Sequence, residues 1–598
     1  MCHAGTTLLQ AARDAGVPVE ASCGGAGRCG KCMVRIVGGS VEGPHVEELQ
    51  FLSEGEIAQG YRLACRRAVH GDLRVFVADQ GVLRGPASRK GFVPGTFTIN
   101  PAVKTYPLKV PAGEGMLAAL EQQHGLRGLS VDRSVATELF STDGEGGEPL
   151  VATVWMDREV IRVGRVFGKA PLGLAIDVGT TTVALYLCDL ATGTILSTAS
   201  FTNPQVIFGD DVISRIAYSR NLPEEGVRRM QSELISAINR TLCDLTQSHG
   251  RSPEDIVDVT VVGNTVMHHI FLGIAPDSLG VWPFAPSLVT STDVKARDVR
   301  IGVLPSAYVH VLPVEAGFVG ADNVGVLISE EPYNQEKVTL TVDMGTNGEV
   351  VLGNRERMLS CSCATGPALE GSHMTCGMRA VRGAIGKVRI DPVSRDVDYK
   401  VVGSRTWSGV RPGRLKAAGI CGSGAIDAVA QLYRAGLLNR SGAFVKDAGT
   451  TRLRLGEGGQ VEFVLAWPDE TSTGKAVVIT QKDVRQVQLA KGALYAGCSM
   501  LMKRLGITRV GSIALAGAFG MHIDKQSAVT IGLLPVKVAR TITSVGNAAG
   551  RGAFLALLDR NKRDEADIIA RWVEHVELAT EEGFQEEFLK ALSFPDRD

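Results

Sequence analysis

The chain has 598 residues, of which 44% are hydrophobic and 21% charged, a globular composition with room for roughly four domains. Its 63 Lys and Arg nearly balance 64 Asp and Glu, so whole-chain charge gives no footprint for nucleic acid or an anionic membrane. No apolar run approaches the ~20 residues of a membrane span, and no charged-then-apolar signal opens the chain. Twelve cysteines without such a signal argue for a reducing compartment, most simply the cytoplasm.

Residues 7–16 (TLLQAARDAG) predict a short amphipathic helix stopped by Gly16. The most informative stretch follows. Cys23-Gly-Gly-Ala-Gly-Arg-Cys29-Gly-Lys-Cys32 is a C-x5-C-x2-C run threaded with glycines, and Cys65 lies 33 residues beyond the third thiol. Three thiolates on a glycine-rich loop plus one distant thiolate is close to the plant-type 2Fe–2S ligand spacing, which has four residues in its first gap. The glycines let the loop turn through positive φ and bring N–H groups against the sulfurs. A structural zinc site, which ordinarily pairs two short motifs, and unliganded thiols are the alternatives. The other eight cysteines show no metal spacing and read as small buried residues.

A strand over Met33–Val37, a helix near Glu47–Ala58 and a strand over Asp72–Val77 complete a module that resembles the β-grasp ferredoxin fold. Such ferredoxins begin with a β-hairpin, whereas six residues precede the first helix here. The hairpin is therefore expected to be missing from the start of the gene product or absent from the fold. Residues 80–100, mixed in charge and rich in Gly and Pro, read as a linker. Residues 101–170 hold a helix (Gly115–Gln123) and a strand (Pro149–Trp155), a small α/β domain without visible chemistry. From residue 171 onward, long apolar strands alternate with helices, the mark of an α/β layer fold. The expected boundaries are thus 1–79, 80–100, 101–170 and 171–598.

Two segments look like copies. Leu174-Ala-Ile-Asp177-Val-Gly179-Thr180-Thr181-Thr182 and Thr339-Leu-Thr-Val-Asp343-Met-Gly345-Thr346-Asn347-Gly348-Glu349 each pair a buried strand ending in Asp with a glycine turn and a second strand. Such hairpins can aim N–H groups and hydroxyls at phosphate oxygens, while the Asp holds Mg2+ through water. An ordinary β-turn is the alternative for either alone. Duplication implies two lobes with a cleft between them. Gly422-Ser423-Gly424 opens a helix whose N-terminus can meet an anion. Gly517-Ala518-Phe519 follows a strand in a turn that admits a flat ring. The four elements together resemble the actin, sugar kinase and heat-shock chaperone ATPases.

Other segments are less specific. Asp211 and Arg215, at i and i+4, read as a surface ion pair. Glu315 in Pro313–Asp322 can orient an attacking water or serve packing. His268 and His269 read as core or surface residues. Cys361–Arg379 is either a docking face or a buried corner of the nucleotide lobe. The segment 565–592 reads as an amphipathic helix or helix pair that serves packing rather than partner binding.

Ferredoxin module, linker, small α/β domain and actin-like ATPase together resemble one family, the reductive activators of corrinoid proteins. Besides the cysteines, the resemblance rests on Asp177–Thr182, NPQ at 203–205, Gly209–Arg215, Asp343–Glu349, Gly366-Pro367-Ala368, Cys376–Arg379, QKDVRQVQLAKGA at 481–493, LAGAFG at 515–520 and GNAAG at 546–550. It implies a homodimeric electron donor using a 2Fe–2S cluster, ATP and Mg2+. It further implies an upstream reductant and, as partner, a corrinoid protein whose cobalt has slipped from Co(I) to Co(II). Cys23, Cys29, Cys32 and Cys65 would hold the cluster, and Asp177, Asp343 and Glu315 would act in hydrolysis.

Cobalt(II)/cobalt(I) couples are expected below a plant-type cluster at roughly −400 mV. A gap of ~100–200 mV costs roughly 2–5 kcal/mol for one electron. Nucleotide cleavage is the expected source of that bias. Rival readings are a 2-hydroxyacyl-CoA dehydratase activator, whose 4Fe–4S cluster sits at the ATPase dimer interface rather than in a separate module, a redox-gated small-molecule kinase, and a non-catalytic ATP-binding scaffold.

Overall fold

The structure is a computed structural model. It describes the chain from Gly5 to Arg597 except residues 16, 18, 20–24, 26, 28–31, 40, 42, 53, 78–91, 93, 94, 96, 111–113, 137–149, 165–169, 346, 367, 368, 370, 372, 373, 411–415, 446–448, 457, 458 and 536–541. Two compact units result. One contains the N-terminal residues, Val93–Ser329 and Ala549–Arg571; the other contains Glu330–Ala548 and Trp572–Asp598.

In the first unit the N-terminal module packs the helix Leu8–Asp14 on a sheet of order β2-β1-β3, with β1 Met33–Gly38, β2 Tyr61–Leu63 and β3 Arg74–Phe76. Among the described residues no hairpin precedes the helix; Thr7 bridges Ala68 instead. The helix expected near 47–58 is a 3-10 turn, Glu48–Gln50, followed by a short helix, Glu54–Ala58. Buried Glu48 explains the break. Its carboxylate accepts from the N–H groups of His45 and Leu63, both at 2.8 Å, and pairs with buried Arg67, so it anchors a turn rather than facing water.

Residues 103–164 form more than the helix and strand expected there. β4 Val103–Leu108, β5 Ser130–Val131, β6 Leu150–Trp155 and β7 Glu159–Gly164 make a sheet of order β4-β6-β7-β5, covered by the helix Met116–His124.

The large sheet of this unit contains β8 Leu172–Val178, β9 Thr182–Asp189, β10 Ile195–Thr202, β11 Ile256–Gly263, β12 Thr292–Lys295 and β13 Tyr308–Val311, in the order β10-β9-β8-β11-β13-β12. β8, β9 and β10 run antiparallel, then β11 and β13 follow parallel to β8. β8 and β11 are buried along their whole length, which is why they read as unbroken apolar runs. The small sheet is fastened to this one. Trp155 stacks on Tyr308 with ring centroids 3.8 Å apart, Arg297 grips Asp132 with two bonds of 3.0 and 2.9 Å, and Lys295 meets Glu159 at 2.5 Å.

The second unit repeats the pattern. β14 Thr339–Met344, β15 Gly348–Gly353 and β16 Met358–Cys363 run antiparallel, and β23 Ser512–Ala516 and β24 Ile542–Gly546 follow parallel to β14. The order β24-β23-β14-β15-β16 mirrors β13-β11-β8-β9-β10 strand for strand. The duplicated sequence segments are therefore the same hairpin in two copies of one sheet. Between β16 and β23 lie two small sheets, β17 Ala384–Ile390 with β18 Val397–Val401 and β19 Gly419–Ile420, and β20 Leu453–Leu455 with β21 Val461–Ala466 and β22 Val477–Thr480. Of the two forms expected for the tail, the structure has the helix pair, Asn561–Trp572 and Phe584–Leu592, each with a packed face.

Candidate functional site

In the first unit the site begins where parallel strands end. Asp177 is the buried penultimate residue of β8, and Val178 aligns with Gly263 at the end of β11. Ligands of open α/β sheets bind at such carboxyl ends. Gly179, buried Thr180 and half-buried Thr181 form the turn, and Thr182 starts β9.

The turn is held from below by residues whose role the sequence left open. Asn203 Nδ2 donates to the Gly179 carbonyl at 2.9 Å, and the Asn203 backbone N–H donates to that of Thr181 at 2.8 Å. Arg215 is fully buried. Its Nη2 donates to the Thr180 carbonyl at 2.6 Å, its Nε to that of Gly209 at 3.0 Å, and its Nη1 to Gln205 Oε1 at 3.2 Å. The expected surface pair of Arg215 with Asp211 does not form. Asp211 instead caps the helix Val212–Asn221 by accepting from the Ser214 N–H at 2.7 Å. The guanidinium turns inward because several carbonyl oxygens there need donors.

Glu315 lies at the same edge of the sheet. Its loop is locked to the end of β11, where Thr265 Oγ1 donates to the Ala316 carbonyl at 2.7 Å. A Cβ on Gly320 would come within 2.4 Å of the Thr265 nitrogen. Asn323 Nδ2 donates to Glu315 Oε1 at 2.6 Å. His268 and His269 are buried in the helix Thr265–Phe271, and desolvation pushes the His268 imidazole down to about 3, a neutral core residue.

In the second unit Asp343 is the half-buried penultimate residue of β14, paired with Glu349 on one side and Ala516 on the other. Gly345 N–H donates to the Asn347 carbonyl at 3.0 Å, closing the turn, and Gly348 starts β15. Thr346 lies outside the described residues. Gly517 has φ +82°, and a Cβ there would come within 2.4 Å of Asp343 Oδ1. The glycine turn after β23 is thus fitted to the carboxylate of the second hairpin. Gly517–Gly520 is a single helical turn, and the side chains of Ala518 and Phe519 lie outside the description. Gly422, Ser423 and Gly424 open the helix Gly422–Arg434 and are buried. Gly424 sits where any Cβ would strike the Ile385 carbonyl. The oxygen-rich donors of both hairpins suit a hard cation and phosphate rather than a soft metal.

Of the four N-terminal thiols, Cys32 and Cys65 are brought together, their sulfurs 3.2 Å apart and both buried. Cys23 and Cys29 lie outside the described residues. Gly25 has φ +100°, a conformation that favours glycine, and a Cβ there would lie 3.3 Å from Leu9 Cδ2 and 3.9 Å from the Cys65 Cβ. Two unoxidised thiols at this separation fit ligation of one iron by a pair of thiolates. Cys361 and Cys363 lie buried on β16, so that end of Cys361–Arg379 is a buried strand. The segment 481–493 is a fastening element. Asp483 caps its helix through Thr480 and also accepts from the Thr375 N–H at 2.8 Å.

Fold and site define an iron–sulfur module joined to an ATPase of the actin and sugar-kinase type. Residues 1–70 match the 2Fe-2S iron-sulfur cluster binding domain, residues 172–335 the RACo middle region, and residues 337–598 the C-terminal domain of RACo, the ASKHA domain. The chain is 33% identical over 597 residues to the corrinoid activation enzyme RamQ of Eubacterium limosum, covering 97% of this chain and 95% of that one. It is 25% identical over 457 residues to the [Co(II) methylated amine-specific corrinoid protein] reductase of Methanosarcina barkeri, covering 71% and 77%. A solved structure of a reductive activator for corrinoid, iron-sulfur protein superposes with a TM-score of 0.75 at 33% identity, covering 100% of this chain and 97% of that one. The chain belongs to this family, the reductive activators of corrinoid proteins.

Proposed function

We propose that the chain is an ATP-dependent activator that returns the Co(II) of a corrinoid protein to Co(I) by one-electron transfer. The observation that carries this reading is the co-occurrence, in one polypeptide and over its full length, of a 2Fe–2S module and a duplicated phosphate-hairpin ATPase. The cluster supplies a single low-potential electron, and ATP cleavage supplies the bias that a cluster alone lacks.

Cys23, Cys29, Cys32 and Cys65 are the proposed ligands. Asp177 and Asp343 would hold Mg2+ through its water shell, where it would offset phosphate charge, and Glu315 would orient the attacking water. Gly179–Thr182 and Gly345–Gly348 bind phosphate oxygens, Gly422–Gly424 offers helix N–H groups, and Gly517–Phe519 receives the adenosine. Arg215, Asn203 and Gln205 shape the first turn without touching nucleotide. ATP hydrolysis drives dissociation once the electron has passed, so that Co(I) is free for methylation. A homodimeric assembly, an upstream reductant and a cytoplasmic location complete the proposal; no described helix is long and apolar enough to cross a membrane.

The test is anaerobic reduction of a cobalamin-loaded corrinoid protein followed at the Co(I) absorbance. Repeated reduction with ATP and failure without it is the expected result. Equal cycling without nucleotide overturns the reading. Cys29→Ala is expected to remove cluster and electron transfer but retain ATP binding, and iron should stand at two per protomer.

A further inference from the structure

Whole-chain charge near zero hides one strongly basic segment. Between Arg379 and Lys416 the sequence holds ten Lys and Arg against three Asp, whereas the remaining residues hold 53 against 61 acidic ones. Its described part is the β17–β18 hairpin with its flanking turns. Arg382, Lys387, Arg389 and Arg405 are exposed, and Lys400 is half-buried.

Three features separate this face from an ordinary solvated surface. Lys387 stands directly opposite Lys400 across the ladder, a like-charge pairing that weakens a hairpin. Arg382, Lys387, Lys400 and Arg405 make no ion pair among the described residues, although arginines elsewhere in the same unit do, such as Arg357 and Arg504 with Glu574. Two of the three carboxylates are engaged in shaping turns. Asp391 accepts from the N–H groups of Val393 and Ser394, both at 2.8 Å, and Asp398 accepts from Ser408 Oγ at 2.8 Å and the Gly409 N–H at 2.9 Å.

Apolar surface accompanies the charge. Val393 at the hairpin tip is 88% exposed and Val410 68%, while Arg389 lies 3.8 Å from the Trp407 ring centre. Arg and Trp beside exposed aliphatics are the composition of protein-docking surfaces. A nucleic-acid platform would need an open aromatic face, and here Arg389 covers one face of Trp407.

We propose that the β17–β18 hairpin is the docking face for an acidic protein surface, that of the corrinoid partner. This deepens and rests on the activator reading. An activator called on only when a cobalt centre has been oxidised must find its partner quickly and leave again. Long-range steering raises the on-rate without requiring a tight complex.

The test is the full-length double variant Lys387→Glu/Lys400→Glu. Its association with a cobalamin-loaded Co(II) corrinoid protein is measured by stopped flow at several salt concentrations. The expected result is an on-rate lower by roughly tenfold or more at low salt, with the salt dependence flattened. Thermal midpoint, basal ATPase and cluster absorbance stay unchanged. Arg382→Glu/Arg405→Glu, on the flanking turns, serves if the first variant unfolds. An unaltered rate and salt slope overturns the proposal. So does a raised KM for ATP, which assigns the hairpin to the nucleotide site. Wild-type capture of a single-stranded oligonucleotide that the variant loses, with corrinoid association intact, assigns it to nucleic acid. A wild type that associates but never yields Co(I) sinks the activator reading instead, leaving docking to be judged by the rates.

Discussion

Arg215 Nη2 donates to the carbonyl oxygen of Thr180 at 2.6 Å from a side chain with no exposed surface. The first phosphate turn therefore rests on a buried guanidinium fork that also holds Gly209 and Gln205. Arg215→Lys keeps the charge but loses the planar fork, leaving buried carbonyls unmet at about 1–3 kcal/mol each. The expected outcome is a lower unfolding midpoint and a KM for ATP raised roughly tenfold, about 1.4 kcal/mol. Cluster absorbance should not change. Steady-state ATPase kinetics beside visible spectra check this, and an unchanged KM removes Arg215 from the site's support.

Gly517 faces Asp343 so closely that a methyl group would come within 2.4 Å of Oδ1, at a φ of +82° that side chains rarely adopt. Gly517→Ala is expected to displace the Asp343 carboxylate and match Asp343→Ala, with hydrolysis reduced by at least ~100-fold, as for other losses of preorganised charge. In both variants the 2Fe–2S absorbance persists. Normal turnover in Gly517→Ala would show that Asp343 needs no defined position.

The two hairpins were legible because each compresses strand end, glycine turn and second strand into one short contiguous stretch, Leu174–Thr182 and Thr339–Glu349. Their equivalence within two sheets that share the order of five strands follows from the same spacing. What stayed illegible depends on distant partners. Asp132 and Arg297 are 165 positions apart, so of the small sheet over 103–164 only the strand ending at Trp155 was legible, and neither its other strands nor its fastening. Arg215 misled because i, i+4 spacing describes a helix surface, while the demand for donors came from turns outside that helix. Whole-chain charge likewise averaged away the basic hairpin.

Buried Asp258 on β11 pairs with Arg563 of the returning helix Asn561–Trp572 at 2.5 Å. Burial pushes the Asp258 carboxyl up to about 6; Arg563 pulls it down, and Asp293 nearby pushes it up. Asp293 itself is held low by its bond to His310 despite desolvation. Between the usual carboxylate range and about pH 6 the folded chain holds a proton at Asp258 that the unfolded chain has lost. Stability from this group is therefore fully present below about pH 4 and disappears as pH rises through 6, a swing of about 3 kcal/mol. Asp258→Asn should lose that slope relative to wild type in urea titrations between pH 4 and 7. Arg563→Met should destabilise by about 3–5 kcal/mol at pH 7, where it strands a buried carboxylate. Parallel pH profiles for wild type and Asp258→Asn would show that the pair does not titrate.

Lys491 presents the opposite sign. Its ammonium is buried in the helix Gln481–Arg504, where Nζ donates to the Ser593 carbonyl at 2.5 Å and lies 5.4 Å from the Phe594 ring centre. Desolvation lowers its pKa to about 7. Between pH 7 and about 10 the unfolded chain carries a proton here that the folded chain has shed, so stability from this site rises with pH across that window. Gln488 holds the same terminal segment through the Leu592 carbonyl at 2.7 Å, so the tail has a second fastening that does not titrate. Lys491→Met should keep the packing, remove the charge and stabilise the chain by about 1–4 kcal/mol at pH 6, with the gain shrinking towards pH 10. Differential thermal unfolding of the two proteins at pH 6, 8 and 10 measures this, and a constant offset across the three would mean that the amine stays charged in the fold.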